Sequence, residues 1–136
     1  MSYELREHTA DVAVEAAGDT LGETFAAVAD GMAAAMCEDV PEGGGRLGVS
    51  VTAENREALL FDYLDRLIYE RDVQSVLPVD NGATASRDRG TWRVEASFRG
   101  VPLADVTARD LKAVTYSDMD ISRTDRGWHA YVVFDV

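Results

Sequence analysis

Apolar and polar residues alternate at the start of the chain. In residues 3–18 the apolar side of this alternation consists of Val12, Val14 and Ala16. A repeat of two predicts a half-buried strand, because successive strand side chains point to opposite faces. We expect one strand here, interrupted or bent near residues 8–10 and ending at Gly18.

The repeat changes to a helical one in residues 19–37. Asp19 or Thr20 is suited to be the N-cap, and Glu23 follows Thr20 by three residues, as in a capping box. The apolar positions have helical spacing: Leu21, Phe25, Val28, Met32 and Met36. This stretch predicts an amphipathic helix.

A short strand and a second helix are predicted next. Residues 46–54 alternate as a strand, and residues 54–73 have the spacing of a helix. The apolar stripe of that helix contains Leu60, Tyr63 or Leu64, Leu67 and Ile68. The charged residues predicted to lie largely off the stripe are Asp62, Asp65, Arg66, Glu70 and Arg71.

The second half of the chain has the pattern of strands and turns. Segments 74–80, 83–88 and 91–100 are predicted strands, with turns at Asn81-Gly82 and at Arg89-Gly90, the second a hairpin. Residues 111–122 and 128–136 form a last pair of strands. This order predicts a single α+β domain over residues 1–136, a mainly antiparallel sheet with two helices packed on one face.

Acidic residues dominate the charge of the chain. There are 25 Asp and Glu against 13 Lys and Arg, a net charge of −12, and the only lysine is Lys112. Such a surface is typical of adaptation to high salt, and the alternative is an acidic docking surface for a basic partner. Either way, direct non-specific binding of nucleic acid, which needs clustered Lys and Arg, is disfavoured.

Localisation follows from what the chain contains. No apolar run approaches the length of a membrane span, and the acidic residues 1–20 do not have the pattern of a signal peptide. The one cysteine, Cys37, has no partner for an internal disulfide. We expect a cytoplasmic protein.

Nucleophilic and zinc chemistry are poorly supported. Cys37, His8 and His129 are the only Cys and His residues, they are widely separated, and no motif marks a nucleophile. Oxygen ligands are abundant, and two acids stand out by position: Asp11 immediately precedes the strand residues Val12 to Ala16, and Asp135 follows an apolar run.

Asp11 and Asp135 each have an ordinary explanation. Thr9 and Asp11 can cap a bend, and a polar residue at a terminus is common. If the first and last strands are neighbours, however, Asp11, Asp135 and the terminal carboxylate of Val136 converge. Carboxylates that close repel unless protons or a cation intervene, so this arrangement predicts a divalent cation.

Four segments resemble the archease family. "HTADVAVEAAGDTLGETFAAVADGM" is similar to its N-terminal strand and helix, and "ALLFDYLDRLIYERD" to its second helix. "LKAVTYSDMDI" resembles its Lys-Ala-Val/Ile-Thr-Tyr strand, and "WHAYVVFDV" its C-terminal end. They occur in the family's order and cover nearly the whole chain.

The resemblance implies an archease fold and an assisting function in tRNA splicing. Archeases activate the RtcB-type RNA ligase, promoting its guanylylation and its multiple turnover. The resemblance also implies a bound metal, commonly calcium, with manganese or magnesium as alternatives, on the residues that correspond here to Asp11, Asp135 and Val136. We therefore expect an activator without catalytic residues, with tRNA involved only through the ligase.

Three further residues are candidates for a supporting role. His8 can orient the metal site or simply hydrogen-bond the adjacent turn. Lys112 and Tyr116, in the family-like strand, are candidates for support of the site or for partner contact, against ordinary surface use. The alternative functions are a metal-dependent hydrolase or phosphotransfer enzyme using Asp11 and Asp135, and an interaction module without metal.

Overall fold

A computed structural model describes residues 2–8 and 11–136, with side chains for 2–5 and 11–136. The elements are β1 (Ser2–His8), β2 (Asp11–Gly18), α1 (Leu21–Met36), β3 (Gly45–Ala53), α2 (Arg56–Gln74), β4 (Val76–Asp88), β5 (Thr91–Pro102), a single 3-10 turn (Leu103–Asp105), β6 (Ala113–Thr124) and β7 (Gly127–Asp135).

The strands pair antiparallel in two sheets. The four-stranded sheet has the order β1-β2-β7-β6, and the three-stranded sheet has the order β3-β5-β4. The predicted α+β class with two helices is thereby confirmed, although the strands form two sheets instead of one. Each helix contacts strands of both sheets, α1 chiefly β2 and β4, and α2 chiefly β3 and β6.

The N-terminal strand prediction was wrong in its topology. Residues 2–8 and 11–18 form two strands, β1 and β2, which pair antiparallel from Ser2↔Ala17 to His8↔Asp11. Alternation runs through both strands with the same period, so it does not reveal that the chain reverses direction between them. Thr9, the proposed partner of Asp11 in capping a bend, lies outside the described residues.

Helix α1 begins where the capping pattern indicates. Thr20, not Asp19, is the N-cap: its hydroxyl accepts from the backbone N–H of Glu23 at 3.1 Å. The Glu23 carboxylate in turn accepts from the backbone N–H of Asp19 at 3.3 Å. Nearly every side of the helix is buried, because it lies between the two sheets.

Helix α2 differs from its prediction at its C-terminal end. Asn55 caps its start by accepting from the N–H of Ala58 at 2.8 Å. Glu70 and Arg71, predicted to lie off the buried face, are only 9% and 8% exposed. Charged residues are seldom buried without partners, and Arg71 contacts the Leu111 carbonyl and the Asp72 carboxylate.

Strand β4 is one continuous strand, so the predicted turn at Asn81-Gly82 was wrong. Its register with β5 shifts between Val79 and Gly82, and Asp80 has a φ of 48°. The Asn-Gly pair therefore marks a β-bulge, where glycine and asparagine are also common. The hairpin at Arg89-Gly90 is confirmed, with φ of 52° and 81° at the two turn residues.

The main core is continuous from the helices to both sheets. Its largest fully buried side chains are Tyr63, Phe25, Phe98, Phe134, Met32, Met36, Leu59, Leu60, Leu64, Leu67, Leu77 and Leu111. Phe134 immediately precedes Asp135, and Leu111 immediately precedes Lys112, so two of the candidate site residues adjoin core anchors. Neither described helix is long and apolar enough to cross a bilayer.

Candidate functional site

One end of the four-stranded sheet brings most of the predicted site residues together. His8 is the register partner of Asp11 in β1 and β2, and Ala113 is the partner of Asp135 in β6 and β7. Strands β2 and β7 pair antiparallel from Gly18↔Trp128 to Val12↔Phe134. Asp11 and Asp135 occupy the next positions of that register.

This register predicts the approximate separation of the Cβ atoms of the two aspartates. Directly opposed residues on neighbouring antiparallel strands have Cβ atoms about 4.5–5.5 Å apart and point to the same face. The condition set by the sequence, that the strands holding Asp11 and Asp135 are neighbours, is met, with β2 and β7 as those strands.

The two aspartates lie on the sheet face opposite to the helices. Val12 and Phe134 pack with the core on the helix side, so alternation places Asp11 and Asp135 on the other side. Asp11 is half-buried, Asp135 is exposed, and Val136 is 46% exposed. A hydrated cation can therefore reach this end of the sheet from solvent.

The chemistry of these donors suits a hard divalent cation. Carboxylate oxygens are preferred ligands of calcium, magnesium and manganese. Among the described side chains, no three His, Cys, Asp or Glu come together as a metal-holding group. The candidate set contains only two such side chains, Asp11 and Asp135, so a divalent cation there needs further oxygen ligands.

The backbone of Lys112 forms a hydrogen bond with the backbone of Asp135. Its N–H donates to the Asp135 carbonyl oxygen at 2.8 Å. The side chain of Lys112 is exposed, so the described contact of this residue with the site is made by its backbone. This holds the end of β7 from the side opposite to β2.

Tyr116 is oriented toward α2. Its ring stacks on Phe61 with centroids 4.2 Å apart and planes at 9°. Desolvation and then the nearby charge of Asp62 raise the pKa of the Tyr116 phenol. The ring thus lies on the helix side of the sheet, while Asp11 and Asp135 lie on the other. The side chain of His8 is outside the described part of the chain.

Among the described side chains considered for nucleophilic chemistry, Cys37 and His129 have separate partners. Cys37 is buried at the end of α1, and its thiol donates to the Asp39 carbonyl oxygen at 3.4 Å. His129 lies in β7, where its Nε2 is 2.7 Å from a carboxylate oxygen of Glu15. These contacts pair Cys37 and His129 with different groups.

Two arginines that sequence reasoning missed hold the segment before Lys112. Arg71 donates to the Leu111 carbonyl at 2.7 Å, and Arg109 donates to the Ala35 carbonyl at 2.9 Å. The only sequence signal was the spacing of Arg71, which follows Leu64 by seven residues and Leu67 by four and so continues the apolar stripe of α2.

Residues 3–136 match the model of the Archease protein family (MTH1598/TM1083). The chain belongs to the archease family. The resemblance seen in the sequence is thereby confirmed over nearly the whole chain. Among curated archeases, that of Thermococcus gammatolerans is 34% identical over 140 residues, covering 98% of each chain. That of Methanosarcina acetivorans is 32% identical, covering 98% of this chain and 95% of the relative.

Solved structures share the archease fold described above. The solution structure of protein 1598 from Methanobacterium thermoautotrophicum has a TM-score of 0.84 at 26% identity and covers 99% of both chains. A crystal structure of an archease from Thermotoga maritima, described as a possible chaperone, has a TM-score of 0.60 at 21% identity. It covers 96% of this chain and 94% of its own, and it supports the fold alone.

Proposed function

We propose that this archease is a metal-binding activator of an RtcB-type RNA ligase that promotes guanylylation and multiple turnover of the ligase in tRNA splicing. Family membership supports the assisting role. The observation that supports the metal-binding part is the register of β2 and β7, whose last pair, Val12↔Phe134, is directly followed by the positions of Asp11 and Asp135.

Asp11, Asp135 and Val136 hold the divalent cation in this proposal, with calcium as the preferred occupant and manganese or magnesium as alternatives. Like charges directly opposed on neighbouring strands are destabilising. A divalent cation would offset two of the three negative charges that Asp11, Asp135 and the Val136 carboxylate bring together. The exposure of Asp135 and Val136 leaves this end of the sheet accessible to the ligase.

The charge of the chain favours a protein partner over RNA. With a net charge of −12 and a single lysine, the surface repels phosphates, and non-specific affinity for nucleic acid depends on cationic contacts. The contact of tRNA with the complex is then made by the ligase. The same acidity agrees with a basic partner surface and with function in concentrated salt in the cytoplasm.

The decisive experiment measures guanylylation and multiple turnover of the ligase from the same organism, with and without this archease. We expect both to increase. Unchanged ligase kinetics would refute the activator function. Turnover of a phosphate-ester substrate by the archease alone would instead favour the hydrolase or phosphotransfer enzyme.

An Asp135→Asn variant tests the contribution of the metal. We expect a loss of calcium affinity, measured by calorimetry, and a parallel loss of ligase stimulation. Asp125→Asn is the matched control, because Asp125 is an exposed residue in the turn at the other end of β7. If Asp135→Asn no longer binds metal but still stimulates the ligase, the result favours the alternative of an interaction module without metal.

Deletion of Val136 tests the third ligand. The terminal carboxylate then moves back by one residue, to the position of the Asp135 carbonyl, which faces the N–H of Lys112 instead of Asp11. We expect weaker calcium binding with an unchanged Tm, since Val136 is outside the core and 46% exposed. An unchanged calcium affinity would remove Val136 from the ligand set.

A further inference from the structure

The segment that leads into the candidate metal site is held without helix or strand pairing. Residues 107–112 belong to no regular element, yet Leu111 within this segment is only 1% exposed. Its backbone groups must therefore find partners outside a ladder. Two arginines and the ends of both helices provide them.

Arg109 attaches the segment to the C-terminal end of α1. Its backbone N–H donates to the Met36 carbonyl at 2.6 Å. Its guanidinium donates to the Ala35 carbonyl from Nη2 at 2.9 Å and from Nε at 3.2 Å. The last carbonyls of a helix lack intrahelical partners and attract cations, so this contact is favourable for both elements.

Arg71 attaches the segment to the last turn of α2. Its Nη1 donates to the Leu111 carbonyl at 2.7 Å and lies 3.3 Å from the Met36 sulfur. Its Nε is 3.0 Å from the Asp72 carboxylate, and its Nη2 is 3.9 Å from that of Asp110. The guanidinium is thus buried where the C-terminal ends of both helices meet the segment.

The contact of Arg71 with Leu111 lies one residue before the contact of Lys112 with Asp135. Lys112, directly after Leu111, donates its N–H to the Asp135 carbonyl at 2.8 Å. We propose that Arg71 is a positioning residue of the metal site: by fixing the Leu111 carbonyl it fixes the Lys112 N–H, and through it the end of β7 that carries Asp135. This inference rests on the metal site of the proposed function.

Arg71→Met tests the inference, because methionine retains an unbranched stem and removes every donor. Groups that orient metal ligands typically contribute 10–100-fold to affinity. We expect the dissociation constant for calcium, measured by calorimetry far below the Tm, to rise about tenfold. Arg71→Lys, which retains the cation and one donor to Leu111, is expected to show a smaller rise.

Two controls separate positioning from general destabilisation. Arg66→Met removes an exposed guanidinium from the same helix, and Asn55→Ala removes the N-cap of that helix. Both are expected to leave calcium affinity unchanged, although Asn55→Ala lowers the Tm. Hydrogen exchange of the Lys112 amide provides a readout without metal, and it is expected to accelerate selectively in Arg71→Met.

The outcomes distinguish this inference from the proposed function. If the wild-type chain binds no calcium, manganese or magnesium, both the metal site and the role of Arg71 are overturned. If the wild type binds metal and Arg71→Met binds it equally well, only the role of Arg71 is overturned. If Arg71→Met fails to fold, an unchanged calcium affinity in Arg71→Lys overturns the role of Arg71.

Discussion

The hydroxyl of Tyr63 offers a sharp test of the packing between α2 and the rest of the core. Tyr63 is fully buried, and its hydroxyl oxygen has no hydrogen-bond partner among the described residues. Its ring stacks on Phe25 with centroids 6.4 Å apart. Burial, with a smaller effect from the charge of Asp30, raises the pKa of the phenol well above its ordinary value.

Tyr63→Phe should therefore stabilise the protein, which is opposite in sign to most core substitutions. A buried polar group without a partner costs about 1–3 kcal/mol, and phenylalanine removes this cost while keeping the ring. We expect the free energy of unfolding to rise by about 1 kcal/mol. For a chain of 136 residues, this corresponds to an increase of about 3–4 °C in Tm.

Urea unfolding followed by circular dichroism measures this difference, with differential scanning calorimetry for the Tm. Tyr69→Phe is the control, because Tyr69 is 56% exposed on the same helix, and it should change stability by less than about 0.5 kcal/mol. A loss of about 1 kcal/mol or more in Tyr63→Phe would show that the hydroxyl has a hydrogen-bond partner, and would refute the reasoning.

Three further predictions concern the partly buried carboxylate of Asp30, the contact of α1 with β4 at Gly22, and the N-cap of α2. Desolvation raises the pKa of Asp30 above its ordinary 3.8 despite two hydrogen bonds from Asn81 at 2.9 Å. The contribution of Asp30 to stability is therefore greatest below that value and falls as pH rises through the folded pKa; Asp30→Asn, which keeps an acceptor for Asn81, should remove this contribution in urea titrations at several pH values. Gly22→Ala should destabilise by about 1–3 kcal/mol in urea unfolding because its Cβ would lie 2.5 Å from the backbone oxygen of Ala83. Gly48→Ala, with its nearest atom at 3.7 Å, is the tolerated control. Asn55→Ala should cost about 1 kcal/mol by calorimetry through loss of the cap, and an unchanged Tm would contradict the capping contact.

Two predictions that depended on local chemistry were confirmed, and two that depended on long-range pairing were wrong. Thr20 caps α1 and Arg89-Gly90 forms a hairpin, because each needs only residues a few positions apart. The reversal between β1 and β2 and the division into two sheets depend on which strands pair. Alternation indicates which face of a strand is buried but not which strand lies beside it.

The bulge in β4 shows a different kind of ambiguity. Asn-Gly is favoured both in two-residue hairpins and where a strand needs an extra residue. Here the choice depends on α1: Asp30 accepts from both the backbone N–H and the side-chain amide of Asn81. Two hydrogen bonds from Asn81 to a helix that is distant in sequence thus hold the Asn-Gly pair within the strand. No local sequence pattern contains that information.

The candidate metal site combines a predictable part with an unpredictable one. Asp11 and Asp135 follow from strand alternation once β2 and β7 are known to be neighbours, and the sequence could state that condition but not decide it. The segment that ends in Lys112 has no periodic pattern, because its partners are the ends of two helices. Its anchor Arg71 was predicted to lie off the buried face, since an arginine is more often solvated than buried.

Two kinds of contact hold the end of β7, and they differ in how easily a substitution breaks them. Near its end, strand β7 is held on one side by pairing with β2, which extends to Phe134, and on the other by pairing with β6 at Ala113 and by the Lys112 N–H. Pairing with β2 is part of a ladder of seven register positions and is cooperative with the whole sheet. The Lys112 contact depends on a few hydrogen bonds from side chains, which local fluctuations break at lower cost than global unfolding. Loss of metal affinity without loss of the fold is therefore expected from the segment containing residues 107–112, and loss of both together from β2.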